Sequence, residues 1–111
     1  MSADCLFCRI VAGELPAEVV YRAEAVTAFR DIAPAAPTHL VVVPDRHVGS
    51  LADLEDAGLG GALLAACRQV ALEAGLSGYR VVTNVGADGG QSVAHLHLHV
   101  LGGRPMRWPP G

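Results

Sequence analysis

Hydrophobic and polar positions follow two periods along this chain, and each period predicts an element. The clearest strand pattern is His95-Leu96-His97-Leu98-His99-Val100-Leu101, where histidines occupy every second position of an otherwise apolar run. Side chains of a strand point to opposite faces in turn, so all three imidazoles share one face while Leu96, Leu98 and Val100 pack on the other. Residues 38–43 form a strongly apolar strand stopped by Pro44, and residues 79–85 read as a further strand. Residues 19–22 and 25–30 read as two strands joined by a tight turn. The connection Ala33-Pro34-Ala35-Ala36-Pro37 cannot be helical throughout, because each proline restricts its neighbour.

Helical spacing occurs in two places. Over residues 57–75 the apolar residues Leu59, Leu63, Ala66 and Val70 recur three or four apart, which predicts one long amphipathic helix. Gly60 and Gly61 weaken its start, and residues 50–53 resemble a capping box upstream. Residues 5–12 read as a short helix ended by Gly13, with a turn around Pro16. Five strands, mostly hairpin-linked and crossed by one long helix, predict an α+β fold with an antiparallel sheet and the helix on one face.

Length and charge narrow the picture. At 111 residues and 51% hydrophobic content, residues 1–111 are expected to form one domain. No apolar stretch approaches the ~18 residues of a membrane span, and no basic segment leads into an apolar one at the N-terminus, so a cytoplasmic protein without membrane contact is expected. Cys5, Cys8 and Cys67 are an odd set and suggest no disulfide framework; Cys67 reads as a small core residue on the long helix. A net charge of −3 with no basic run argues against polymeric nucleic acid as a partner. All eight basic residues are arginines, which excludes a P-loop lysine, a Schiff base and a lysyl intermediate together. Histidine is then the leading nucleophile for any covalent chemistry.

The histidine stripe itself supports two readings. Imidazole, with an unperturbed pKa near ~6.5, serves at neutral pH as nucleophile, acid or base. Three neutral imidazoles converging on one point would equally suit a catalytic zinc with an open position. The preceding loop, Gly86-Ala87-Asp88-Gly89-Gly90-Gln91-Ser92, could bring N–H groups and the Gln91 and Ser92 side chains to an oxyanion, although glycine-rich hairpin loops commonly bind nothing. The Cys5-x-x-Cys8 pair suits half of a zinc site, a redox pair or plain burial.

The stripe, with its neighbours, resembles the histidine-triad (HIT) superfamily and its Hint branch of nucleotide-binding proteins. The matching pieces run in order: Asp31-Ile32-Ala33-Pro34, Ala36-Pro37-Thr38-His39, Pro44-Asp45-Arg46-His47, Gly89-Gly90-Gln91-Ser92, the triad, Gly102-Gly103-Arg104 and Trp108-Pro109-Pro110-Gly111. The resemblance covers nearly the whole chain and implies a HIT-like fold, a five-stranded antiparallel sheet with one long helix and a short N-terminal one. It also implies a hydrolase that cleaves the P–N bond of purine nucleoside 5′-phosphoramidates and aminoacyl-adenylate-like compounds, with AMP or GMP as ligand.

Residue by residue, the resemblance makes His97 the nucleophile, steadied through its second nitrogen by a main-chain carbonyl. It sets His99 on the phosphoryl oxygens, His39 on the neighbouring strand, and Ser92 near the leaving group. Asp31 matches a carboxylate that accepts both ribose hydroxyls. Phe7, Ile10, Phe29, Ile32 and Val41 match the apolar walls around the base, residues otherwise read as ordinary core. Asn84, Gly90 and Gln91 match positions near ribose and phosphate. Relatives that bind zinc do so with a cysteine pair, a histidine and the first triad histidine, which correspond to Cys5, Cys8, His47 and His95. That zinc is structural, and no catalytic metal or organic cofactor is expected. A homodimer is expected, with Trp108 near the partner's active site. Two departures touch the pocket: Ala94 stands where relatives often carry a larger or aromatic residue, and Val41 where leucine is common. The rival readings are a nucleotide-binding interaction module without turnover and a zinc hydrolase using His95, His97 and His99 as ligands.

Overall fold

A computed structural model describes residues 4–111; residues 1–3 of the expected domain lie outside the described residues. Helix α1 (Leu6–Val11) leads into strands β1 (Val19–Ala23), β2 (Val26–Arg30) and β3 (Thr38–Pro44), and helix α2 (Ala57–Glu73) then crosses to β4 (Tyr79–Val82) and β5 (Leu98–Gly102). The strands form one antiparallel sheet in the order β1-β2-β3-β5-β4. The α+β fold with a five-stranded antiparallel sheet is therefore as the pattern predicts. No helix among the described residues is long and apolar enough to cross a membrane.

The period-two pattern divides the molecule into two cores. Val26 and Ala28 of β2, Leu40 and Val42 of β3, and Leu98 and Val100 of β5 face α2, where Leu59, Leu63, Ala66, Cys67 and Val70 close the layer. Their alternate neighbours Phe29, Val41 and Val43 face the other way and pack with Cys5, Phe7, Cys8 and Ile10 of the α1 region. Burial raises the Cys67 thiol to about 11, so it stays protonated and serves as packing.

Several boundaries differ from the sequence pattern. The triad strand is predicted to begin at His95, but β5 starts at Leu98. Here the Leu96 N–H donates to the Val48 carbonyl at 2.6 Å, and the Thr83 hydroxyl donates to the His97 carbonyl at 2.8 Å. These bonds take the place of a β ladder, and they also explain why β4 stops at Val82 rather than at 85. Ala25 belongs to the β1–β2 turn with φ 70, not to β2. Finally, Ser50 caps the short 3-10 turn Leu51–Asp53, while Asp56 caps α2 by accepting from the Leu59 N–H. The expected capping box thus serves the turn, because the chain kinks at Leu54 before α2 begins.

Candidate active site

Although only His99 lies within the sheet, alternation persists through the triad. Leu96 is buried toward α2, whereas His95 and His97 meet the ring of Phe7 edge-on on the opposite face, at 5.9 and 5.0 Å between centroids. His97 is buried, and its Nδ1 lies 2.6 Å from the carbonyl oxygen of His95. A carbonyl only accepts, so Nδ1 carries the proton and Nε2 keeps its lone pair.

A chain of tautomers also runs through His39 and His99. The Ala35 N–H donates to His39 Nδ1 at 3.0 Å, which leaves the proton on His39 Nε2. That nitrogen lies 2.8 Å from His99 Nδ1 and 3.5 Å from Asp31 Oδ2. His99 Nδ1 therefore accepts, and its remaining nitrogen presents N–H. Burial lowers the His99 pKa, and His97 and His39 lower it further against the opposing pull of Asp31. The other oxygen of Asp31 accepts from the Ala33 N–H at 2.8 Å, which fixes the carboxylate without exhausting its lone pairs.

Beside these groups lies a cleft of about 330 Å³. Of the residues singled out in the sequence, Phe7, Ile10, Phe29 and Val41 form its apolar walls, and Asp31, Ile32, Ser92, His97 and His99 complete its lining. His39 stands behind His99 as its hydrogen-bond partner. Leu6, Leu15, Pro16, Ala17, Arg30 and Val93 also line it and are missed by sequence reasoning. Leu6 and Arg30 stand at the ends of α1 and β2, and the others lie in irregular segments that have no period, where the turn at Pro16 is the one local signal.

Among the described residues, the cleft walls do not include Asn84, Gly90 or Gln91. Two N–H groups of the glycine-rich loop are already bonded within it. The Gly90 N–H donates to the Ala87 carbonyl, and the Gln91 N–H to the Gly86 carbonyl. The Gln91 side chain is spent as well, donating to Gly49 and Val93 carbonyls and accepting from the Gly86 N–H. Gly90 is needed for its φ of +81, a region that side chains rarely adopt. The loop is held by its own bonds, and it carries Ser92 to the cleft.

His95 turns the other way. Its Nε2 donates to the Pro44 carbonyl at 2.9 Å, which leaves the Nδ1 lone pair facing Cys5 Sγ at 3.3 Å and Cys8 Sγ at 3.5 Å. Cys8 Sγ lies 3.3 Å from His47 Nδ1. The four ligand atoms fall within 4.8 Å of one another. For zinc with bonds of ~2.3 Å to sulfur and ~2.0 Å to nitrogen, a tetrahedron has sulfur–nitrogen edges of about 3.5 Å, so the donor set fits. The Pro44 carbonyl stands where an outer partner would fix the tautomer of a ligating histidine. Burial lowers the His95 pKa, with the Pro44 carbonyl opposing and His47 and His97 adding to the shift.

Asp31, His39 and His99 form a second cluster of metal-type groups. Its nitrogens are 2.8 Å apart, closer than the ~3.3 Å edge of a zinc tetrahedron, and a proton lies between them. Among the described residues, neither cluster gathers all three triad histidines, because each ring turns a different nitrogen to a different partner.

An α+β sheet with this histidine-lined cleft on the face opposite its long helix defines a protein of the HIT-like fold. A family model described as HIT domain matches residues 12–106. An uncharacterized HIT-like protein of Synechococcus elongatus is 46% identical over the full length of both chains. A solved HIT family hydrolase from Legionella pneumophila shares 49% identity with a TM-score of 0.93, covering 97% of this chain and 100% of its own. Another, from Clostridium thermocellum, shares 38% identity at the same TM-score over 96% of each chain. The chain belongs to the HIT family.

Proposed function

We propose that this chain is a hydrolase of the Hint type that cleaves the P–N bond of purine nucleoside 5′-phosphoramidates and aminoacyl-adenylate-like compounds. The observation that carries the reading is the His97 tautomer: Nδ1–H is committed to the His95 carbonyl at 2.6 Å, leaving an Nε2 lone pair on a ring that lines the cleft. That lone pair attacks the α-phosphorus, and the P–N bond breaks with its electron pair moving to nitrogen. The departing nitrogen takes its proton from the Ser92 hydroxyl, which lines the cleft. Water then adds to phosphorus and returns a proton to Ser92, the P–Nε2 bond breaks, and nucleoside monophosphate leaves with the lone pair restored to His97.

The surrounding residues support this sequence of steps. The carbonyl that holds Nδ1–H stabilises the cation developing on the ring. His99, kept neutral by burial and donating through its free N–H, suits the phosphoryl oxygens. Asp31 suits the two ribose hydroxyls, and Phe7, Ile10, Phe29, Ile32 and Val41 suit a purine such as that of AMP or GMP. For Gly90 and Gln91 the reading assigns loop support, consistent with their spent N–H groups, while Asn84 keeps its assignment beside ribose and phosphate. Zinc held by Cys5, Cys8, His47 and His95 would supply a cross-link between α1 and the triad segment, and the reaction uses neither a metal nor an organic cofactor.

A homodimer is part of the proposal. It is supported by the unpaired outer edge of β4, with Tyr79 and Val81 exposed, and by Trp108 at 82% exposure on a tail tethered where Arg80 donates to the Arg107 carbonyl.

The test is amine release from adenosine 5′-phosphoramidate at neutral pH. Turnover by the native protein, lost in His97→Ala, is expected. A folded native protein that binds AMP without turnover would overturn the hydrolase reading and make the chain a nucleotide-binding interaction module.

A further inference from the structure

We propose that a second chamber, next to the nucleotide cleft, receives the amine portion of the substrate, and that Ala94 sets how large that amine can be. The inference rests on the hydrolase reading and deepens it. The chamber measures about 430 Å³ and is lined by Asp4, Leu6, Ser92, Val93 and Ala94, with Cys5 and His47 of the metal-type cluster at one side. Leu6, Ser92 and Val93 also line the cleft, so the two spaces share one wall. The cleft's apolar walls and Asp31 are taken up by base and ribose. A substituent on the leaving nitrogen must project elsewhere, and past Ser92 it enters the chamber.

The lining defines the chemistry of that substituent. Leu6, Val93 and Ala94 offer apolar surface, and Ala94 contributes only a methyl group, which leaves the space open. Asp4 adds a carboxylate. Such a chamber suits alkyl or arylalkyl amines, neutral or cationic beyond the reacting nitrogen, and disfavours amines that carry their own carboxylate, because like charges would face each other. A larger side chain at position 94 would fill the chamber without touching His97 or Asp31.

The experiment compares kcat/KM for adenosine 5′-phosphoramidate, which releases ammonia, with that for its tryptamine counterpart. The ratio of tryptamine to ammonia substrate is expected to fall in the order Ala94→Gly, Ala94→Leu, Ala94→Trp. The Trp variant should lose roughly tenfold or more of the native ratio, as expected for an apolar group excluded from its pocket. Since Ala94 is exposed, the graded Leu variant retains the fold if Trp does not. In Asp4→Asn, discrimination against the carboxylate-bearing tryptophan counterpart should relax. Native turnover of both substrates with a ratio unmoved by any Ala94 variant overturns the chamber and leaves the hydrolase reading intact. Turnover of neither substrate by the native protein overturns both.

Discussion

His95 and His97 stand two residues apart on one face of one segment, yet they belong to two different chemical regions. His95 commits Nε2 to the Pro44 carbonyl and turns Nδ1 toward two thiols and His47. His97 commits Nδ1 to the His95 carbonyl and keeps Nε2 for the cleft. In the first region three sulfur–nitrogen pairs stand 3.3 to 3.5 Å apart, a metal's spacing, whereas His39 and His99 in the second stand 2.8 Å apart, a proton's spacing. Identical side chains thus acquire opposite roles according to which nitrogen a neighbouring carbonyl claims. The two regions also touch: the backbone of His95 holds the ring of His97, and Phe7 of α1 packs on both rings.

The comparison breaks most sharply at the two histidines themselves. His97→Ala should lower kcat by about 10⁴-fold or more, as loss of a nucleophile does elsewhere, while zinc stoichiometry stays at the native value. His95→Ala should abolish zinc binding. Equal zinc loss in both variants would show that the regions are not separate.

Next in size is the stabilisation by metal. With free zinc a thousandfold above its Kd, mass action adds about 4 kcal/mol, or roughly 15 °C in Tm for a chain of this length. Chelation should reverse that shift in a thermal scan, and amine release well below the lowered Tm should continue. Activity that stops on chelation at temperatures where the protein remains folded would favour the zinc hydrolase instead.

Within the proton-linked region, His39→Ala leaves His99 Nδ1 without its donor. Losing a hydrogen bond that orients this half-buried ring, at about 0.5–1.5 kcal/mol, corresponds to a loss of roughly 2- to 13-fold in kcat/KM. His39→Gln, which keeps an N–H donor, should recover part of it. Both variants are expected to bind zinc normally.

The smallest effect is on pH-dependent stability. Burial lowers the His99 pKa in the folded protein, while the unfolded chain protonates near ~6.5. As pH falls through that value the unfolded state takes up more protons, so stability declines until the folded-state pKa is passed. Urea midpoints at pH 7.5 and 5.5 should differ less in His99→Gln than in the native protein. An undiminished difference would place the responsible group elsewhere.

Periodicity alone determined the sheet and its long helix, because alternate and helical spacings reflect which side of an element is buried, and burial is a local requirement of each residue. It likewise determined that the triad imidazoles oppose Leu96, Leu98 and Val100. The family motifs made Asp31, Ser92, His97, His99 and the Cys5, Cys8, His47 and His95 set legible as candidates. Tertiary structure decided what no period encodes. It chose the ring nitrogens through the carbonyls of Pro44 and His95, which lie 51 and 2 residues from their partners. It began the triad strand at Leu98 through Thr83 and Val48, and it bonded the Gly90 and Gln91 N–H groups within their own loop. It also opened the chamber beside Ala94. These outcomes depend on the direction of single hydrogen bonds and on gaps between irregular segments, which no hydrophobic period records and which, as for His95 and Pro44, can join parts of the chain far apart in sequence.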